Sequence, residues 1–175
     1  SNLGIQVQDR VAILGQTSKE WHFFDLAALC ARAVITPVYP TYMSDEVEYI
    51  LNDSETKILI LENEAQFQKI LAEQDKLPHL KVIIALKDIS EESVKKLSDK
   101  IIFQTYQQFI DIGTLQSQNS PKLFEASIEQ KTKDLTPVHF QTAVNFATNK
   151  RYLPFVLPPL LISIFILSLF YFNSV

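Results

Sequence analysis

The chain of 175 residues, 47% hydrophobic and 21% charged, is long enough for one globular domain, or a domain with an appendage, and too short for two full ones. A formal charge of −4 offers no basic footprint for a phosphate backbone, so nucleic acid is excluded as the expected partner. Cys30, the single cysteine, excludes an internal disulfide framework and a thiolate zinc module and fits a reducing compartment.

In chain order, short apolar runs alternate with amphipathic stretches. Val11–Leu14, Val34–Val38, Ile58–Leu61, Val82–Leu86 and Ile101–Phe103 are apolar on consecutive residues, the pattern of strands buried on both faces of a parallel sheet. Ser18 is the expected N-cap of a helix over Lys19–Arg32, with Trp21, Phe24, Ala28 and Ala31 on one face, Glu20 in the first turn and Arg32 in the last. Ser44 is expected to cap a second helix, which ends near Asn52. Glu64–Gln74, Glu91–Leu97 and a short Tyr106–Ile112 stopping at Gly113 complete the set, followed by a surface loop over Thr114–Ser120 and a last helical piece around Leu123–Gln130. Repeated β-α units predict an α/β domain, a layered sheet with right-handed crossover helices.

The remainder differs in kind. All 16 basic and 20 acidic residues lie at or before Arg151, so the mean hydropathy of +0.06 averages a polar domain with an apolar tail. Residues 136–152 read as an atypical linker and Leu153–Phe172 as an uncharged segment of the length a helix needs to span about 30 Å of hydrocarbon. Pro154, Pro158 and Pro159 oppose a regular helix over its first third, and Lys150–Arg151 would hold the preceding domain on the cytoplasmic side. Two readings stand: a membrane anchor, or the out-of-frame end of a longer gene. No secretory signal is visible in Ser1–Arg10, and Met43 is the only methionine, so a cytoplasmic fragment or processed product is expected.

Candidate chemistry is sparse. His22 and Asp25 share a helix face without a nucleophile or third orienting group, which favours a solvated pair over an acid–base pair. His79 and His139 lack a second ligand at metal spacing. Cys30 lies on a buried helix, where cysteine behaves as a small hydrophobe. Asn52-Asp53-Ser54 matches a glycosylation triplet by chance at a helix end. The clusters Asp45/Glu46/Glu48 and Asp88/Glu91/Glu92 sit at helix starts, where the dipole favours carboxylates without a metal. No catalytic, cofactor-binding or metal-ligating residue is assigned.

The order of several words is more specific. Asp9-Arg10-Val11-Ala12-Ile13-Leu14, Glu20-Trp21, Asp25-Leu26-Ala27-Ala28-Leu29, Ala33-Val34, Pro37-Val38-Tyr39-Pro40-Thr41 and Glu46-Val47-Glu48-Tyr49-Ile50-Leu51-Asn52-Asp53-Ser54 together resemble the N-terminal subdomain of the AMP-forming acyl-CoA synthetases. Tyr39-Pro40-Thr41 points to the long-chain fatty acid branch. The likeness is dense over Asp9–Leu61 and looser to Leu135, which sets a partial AMP-binding domain over residues 1–135. It implies, for a full-length enzyme, adenylation of a fatty acid by magnesium-bound ATP and transfer to coenzyme A or an acyl-carrier-protein thiol. In that family the lead-in Lys133-Asp134-Leu135 is followed by a glycine-rich phosphate loop. Here Thr136-Pro137-Val138-His139 follows and no glycine occurs after Gly113, so the backbone cradle for ATP phosphates is missing from this sequence. The expectation is a catalytically incomplete ligase piece. Its rivals are a membrane-tethered binding module and a subdomain that assembles in trans with a separate C-terminal ligase half.

Overall fold

The computed structural model describes residues 6–119 and 121–122. Five strands, β1 (Arg10–Leu14), β2 (Val34–Val38), β3 (Ile58–Leu61), β4 (Val82–Ala85) and β5 (Ile102–Thr105), alternate with helices α1 (Lys19–Cys30), α2 (Ser44–Asp53), α3 (Glu64–Glu73), α4 (Glu91–Val94) and α5 (Tyr106–Asn119). All strand pairs are parallel, in the order β2-β1-β3-β4-β5. The chain is therefore an α/β domain wound in both directions from β1.

Strand side chains alternate between two cores. Val11, Ile13, Ile58, Ile60, Val82 and Ile84 pack with Phe24 and Ala28 of α1 and Phe109 of α5. Ala12, Leu14, Leu59, Leu61 and Ile83 pack on the opposite face with Val47 and Leu51 of α2 and Phe67 and Ile70 of α3. The consecutive apolar runs of β1, β3 and β4 are thus explained by helices on both sides.

β2 and β5 correct the expectation of burial on both faces. They are the sheet edges, where Val34 is 48% and Ile102 38% exposed. Pro37, which cannot donate a ladder hydrogen bond, was the cue for an edge.

Several helix ends also differ from the sequence reading. Met43, not Ser44, is the N-cap of α2, because Glu46 in the first turn reaches back to accept the Met43 N–H at 2.8 Å. α4 is a single turn of four residues, closed by Ser90. α5 runs through Gly113 to Asn119, replacing the expected loop over Thr114–Ser120. Phe109 and Gly113, four residues apart, are its buried positions, so the packed face continues past the glycine and the helix with it.

α1 stops two residues early. Arg32 adopts φ 63°, its N–H donates to the Leu29 carbonyl at 3.1 Å and the Ala33 N–H to the Ala28 carbonyl at 2.9 Å. This is a Schellman end with arginine in the left-handed position that usually holds glycine. α2 ends the same way at Glu55, φ 47°, with Glu55 N–H to Asn52 O at 2.9 Å and Thr56 N–H to Leu51 O at 2.8 Å. A chain with three glycines makes both turns with ordinary residues.

The amino edge of the sheet is clasped by charge. Lys57, just before β3, donates to Asp9, just before β1, at 2.8 Å, and Asp9 also accepts the Gln6 N–H. Arg10 donates to the Ser54 carbonyl and pairs with Glu55. The words Asp9-Arg10 and Asn52-Asp53-Ser54 thus meet here, 44 or more positions apart for Arg10 and its partners. The second of them is a structural element: Asn52 donates to Glu48 and to the Lys76 carbonyl, and Ser54 Oγ to the Ile50 carbonyl.

Among the described residues no helix is long and apolar enough to cross a membrane. The run 153–172, the linker 136–152, His139 and the helical piece around Leu123–Gln130 lie outside them.

Candidate functional site at the carboxyl edge of the sheet

In a parallel sheet wound both ways, ligands bind outside the carboxyl ends of the strands where the chain reverses direction. Here that point lies between β1 and β3. β1 leads by Gly15–Thr17 to α1, whose N-cap Ser18 accepts the Trp21 N–H at 3.2 Å. β3 leads by Glu62 to α3, whose N-cap Asn63 accepts the Gln66 N–H at 3.3 Å. α1 and α3 cover opposite faces, so the two loops lead away from the sheet in opposite directions.

A carboxylate of the chain itself bridges the loops at this edge. Glu62 accepts the Gln16 N–H through Oε2 at 2.9 Å and the Lys87 ammonium through Oε1 at 2.7 Å. The approach depends on Gly15: a Cβ there would stand 2.8 Å from the Glu62 Cβ, closer than such atoms come. The backbone N–H that a phosphate oxygen would seek is already bonded. The Gln16 amide first, and Lys87 next, hold the Glu62 carboxyl below the usual glutamate range.

A second carboxylate locks the neighbouring loops. Glu64 accepts the Ser90 N–H at 2.9 Å, the Ser93 hydroxyl and the Gln68 amide at 2.6 Å. The Ser93 hydroxyl, followed by the Ser90 amide, lowers its pKa. On the other flank, Lys69 of α3 donates to the Pro40 and Tyr42 carbonyls, each at 2.7 Å, and Gln66 to Pro40 at 3.3 Å. Burial lowers the Lys69 pKa, with Glu46 opposing. The word Pro37-Val38-Tyr39-Pro40-Thr41 is thus tied to α3 and leaves Tyr39 69% and Met43 67% exposed.

These residues do not fit a nucleotide's phosphates. Bringing a phosphate within about 4 Å of the Glu62 carboxylate would cost about 4 kcal/mol per charge pair at an effective dielectric of about 20, and Lys87 is already engaged. The arrangement stabilises loops.

A pH prediction follows from the two depressed carboxyls. A folded pKa below the unfolded value of about 4.3 adds stability above that value, and the gain is lost as pH falls through the lower folded pKa. Urea titrations at pH 6 and pH 3.5 should therefore show a smaller acid loss in Glu62→Gln than in the parent. Equal losses would show that the Gln16 and Lys87 bonds carry no linkage.

The residues singled out from sequence fall elsewhere. His22 is exposed and its ring meets Trp21 edge-on at 5.4 Å, while Asp25 is half-buried and burial raises its pKa against the pull of His22. Among the described residues' hydrogen bonds and ion pairs, none joins the two. Cys30 is 7% exposed on α1, and His79 lies exposed in the turn before β4. Glu46 is used by the Met43 N–H, Glu48 by Asn52, and Glu91 and Glu92 pair with Lys95 and Lys96 at 3.9 and 2.7 Å. The sequence reading missed Glu62, Glu64 and Lys87. Their signal was position, a charge directly after or near the end of a buried apolar run at the edge where ligands gather.

Comparison with known proteins agrees with the family words. A family profile described as AMP-binding enzyme matches residues 1–133. The long-chain-fatty-acid–CoA ligase ACSBG2 of Xenopus laevis is 36% identical over 111 residues, covering 63% of this chain and 14% of that protein. FadD15 of Mycobacterium tuberculosis, also a long-chain-fatty-acid–CoA ligase, is 29% identical over 98 residues, covering 56% of this chain and 16% of the relative. The A-PCP didomain of carboxylic acid reductase from Segniliparus rugosus, solved in complex with AMP, superposes with a TM-score of 0.49 at 11% identity, over 58% of this chain and 16% of that one. The chain spans about one seventh of the length of the curated relatives it matches. With most of its residues matched by the family profile, the chain belongs to the AMP-binding enzyme family.

Proposed function

We propose that these residues are the N-terminal frame of a long-chain fatty acid–CoA, or acyl-carrier-protein, ligase and form no acyl-adenylate by themselves. The observation that carries this reading is the closure of the carboxyl edge by Glu62, Gln16 and Lys87. The names of the relatives support the ligase class. The absence of any glycine after Gly113 supports the lack of a phosphate loop in this sequence. ATP, magnesium and coenzyme A belong on this reading to the remainder of a ligase, which is the partner, in a cytoplasmic setting. The purified chain should give no ATP–pyrophosphate exchange with palmitate, and exchange above the protein-free blank would overturn the proposal.

A second reading rests on the uncharged run from Tyr152 to Val175 behind Lys150 and Arg151. It makes the α/β part a module held at the cytoplasmic face of a membrane. Carbonate washing decides: retention in the pellet until detergent is added supports an anchor, and release into the supernatant excludes it.

A further inference from the structure

A concavity of about 280 Å³ opens at the amino edge of β4 and β5, opposite the closed carboxyl edge. Its floor is apolar: Leu77, Leu80 and Ile101 are 5%, 3% and 7% exposed. Its walls are stitched together by Gln74, whose amide donates to the Lys96 carbonyl at 3.1 Å and accepts the Ser98 N–H at 2.8 Å. The turn after α3 and the loop before β5 are thus held as one frame.

Two lysines line it. Lys57, Lys76, Lys87, Lys95 and Lys96 are each paired with a carboxylate, and Lys69 is held by two carbonyls. Lys81 and Lys100 have no ion pair or side-chain hydrogen bond among the described residues, and both line this one concavity. Asp75 is the only carboxylate in the lining, so two lysines and one acid line the concavity in a chain whose net charge is −4. An isolated exposed lysine is merely solvated. Here two unpaired lysines stand beside an apolar patch in a mixed lining, Leu77, Pro78, Leu80 and Ile101 against Gln74, Asp75, Lys81, Ser98 and Lys100, so charged groups can fix the head of an anion while the patch takes a short apolar body.

We propose that this concavity binds a small amphipathic anion, its apolar body against Leu77, Pro78, Leu80 and Ile101 and its anionic head between Lys81 and Lys100. Lysine acts as a point charge without the planar fork of arginine, so a carboxylate and a phosphate monoester are both accepted. The volume lies just under the roughly 300–1,000 Å³ of drug-sized sites, which limits the body to a few carbons. The inference stands on the amino edge alone and is independent of the ligase reading.

The test is photo-crosslinking of the full chain with a diazirine-bearing hexanoate, read by peptide mass spectrometry. Label should concentrate on Gln74–Lys81 and Ser98–Ile101. Hexanoate and butyl phosphate should compete, and hexan-1-ol should not. Lys81→Ala with Lys100→Ala should lower labelling about tenfold, the loss of about 1.4 kcal/mol of charge attraction shared by the two contacts, whereas arginine at both positions should retain it. Asp75→Asn should raise it severalfold. These positions are at the surface, where substitutions change stability by about 0.5 kcal/mol or less, so the variants remain folded. Label spread along the chain, equal competition by hexan-1-ol, or labelling unchanged in the double alanine variant would each overturn the proposal.

Discussion

Phe24→Ala should lower the unfolding free energy by about 3–5 kcal/mol, a large part of the roughly 5–15 kcal/mol that holds a domain of this kind. Phe24 is fully buried on α1. Its ring meets Phe109 at 5.6 Å and Tyr106 at 6.1 Å, both on α5. α5 begins directly at the end of edge strand β5, so this aromatic group is what presses α5 onto the sheet. Truncation removes the ring's transfer energy and leaves a cavity among side chains of two helices and three strands, which cannot collapse around it. Leu29→Ala on the same helix is the control: Leu29 is 43% exposed and its loss should be under about 1 kcal/mol. Urea unfolding followed by circular dichroism measures both. Equal losses would mean that α1 and α5 do not share a core.

Asp9→Ala comes next, with an expected loss of about 2–3 kcal/mol. Asp9 is 7% exposed and its carboxylate accepts from the Gln6 N–H and from Lys57 at 2.8 Å. Alanine leaves a half-buried ammonium and a backbone donor without that acceptor. Part of the loss is the removal of the carboxylate that Lys57 pairs with, so Lys57→Met introduced into Asp9→Ala should be less damaging than in the parent. A double-mutant cycle should give a coupling above about 1 kcal/mol. Additivity within about 0.5 kcal/mol would show two independent residues.

Both predictions concern long-range contacts, which is where reading the sequence reached its limit. The buried strands β1, β3 and β4 were legible because runs such as Ile58–Leu61 admit no solvent face. β2 and β5 were misread because an apolar run does not reveal whether a neighbour lies on each side. The end of α1 was blurred because Arg32 occupies a left-handed position where glycine would have marked the stop. Gly113 misled in the other direction, since a glycine on a packed helix face need not end the helix.

The carboxyl edge was hidden for a different reason. Glu62 lies 46 residues from Gln16 and 25 from Lys87, and only the order β2-β1-β3-β4-β5 brings the loops after β1, β3 and β4 together. Without that order, Glu62 reads as one acid among 20 Asp and Glu residues. The family words were visible, but their role was not: Asp9-Arg10 and Asn52-Asp53-Ser54 clasp the amino edge, and the Pro40 carbonyl anchors Lys69 and Gln66. They build a frame and contribute no reacting group.

Calorimetric titration of magnesium-bound ATP into the full chain tests that conclusion most directly. With Glu62 seated on the Gln16 amide, no saturable heat is expected at any concentration up to millimolar. Saturable, magnesium-dependent binding at micromolar nucleotide would show that the carboxyl edge opens to phosphate and that the frame is itself a nucleotide site.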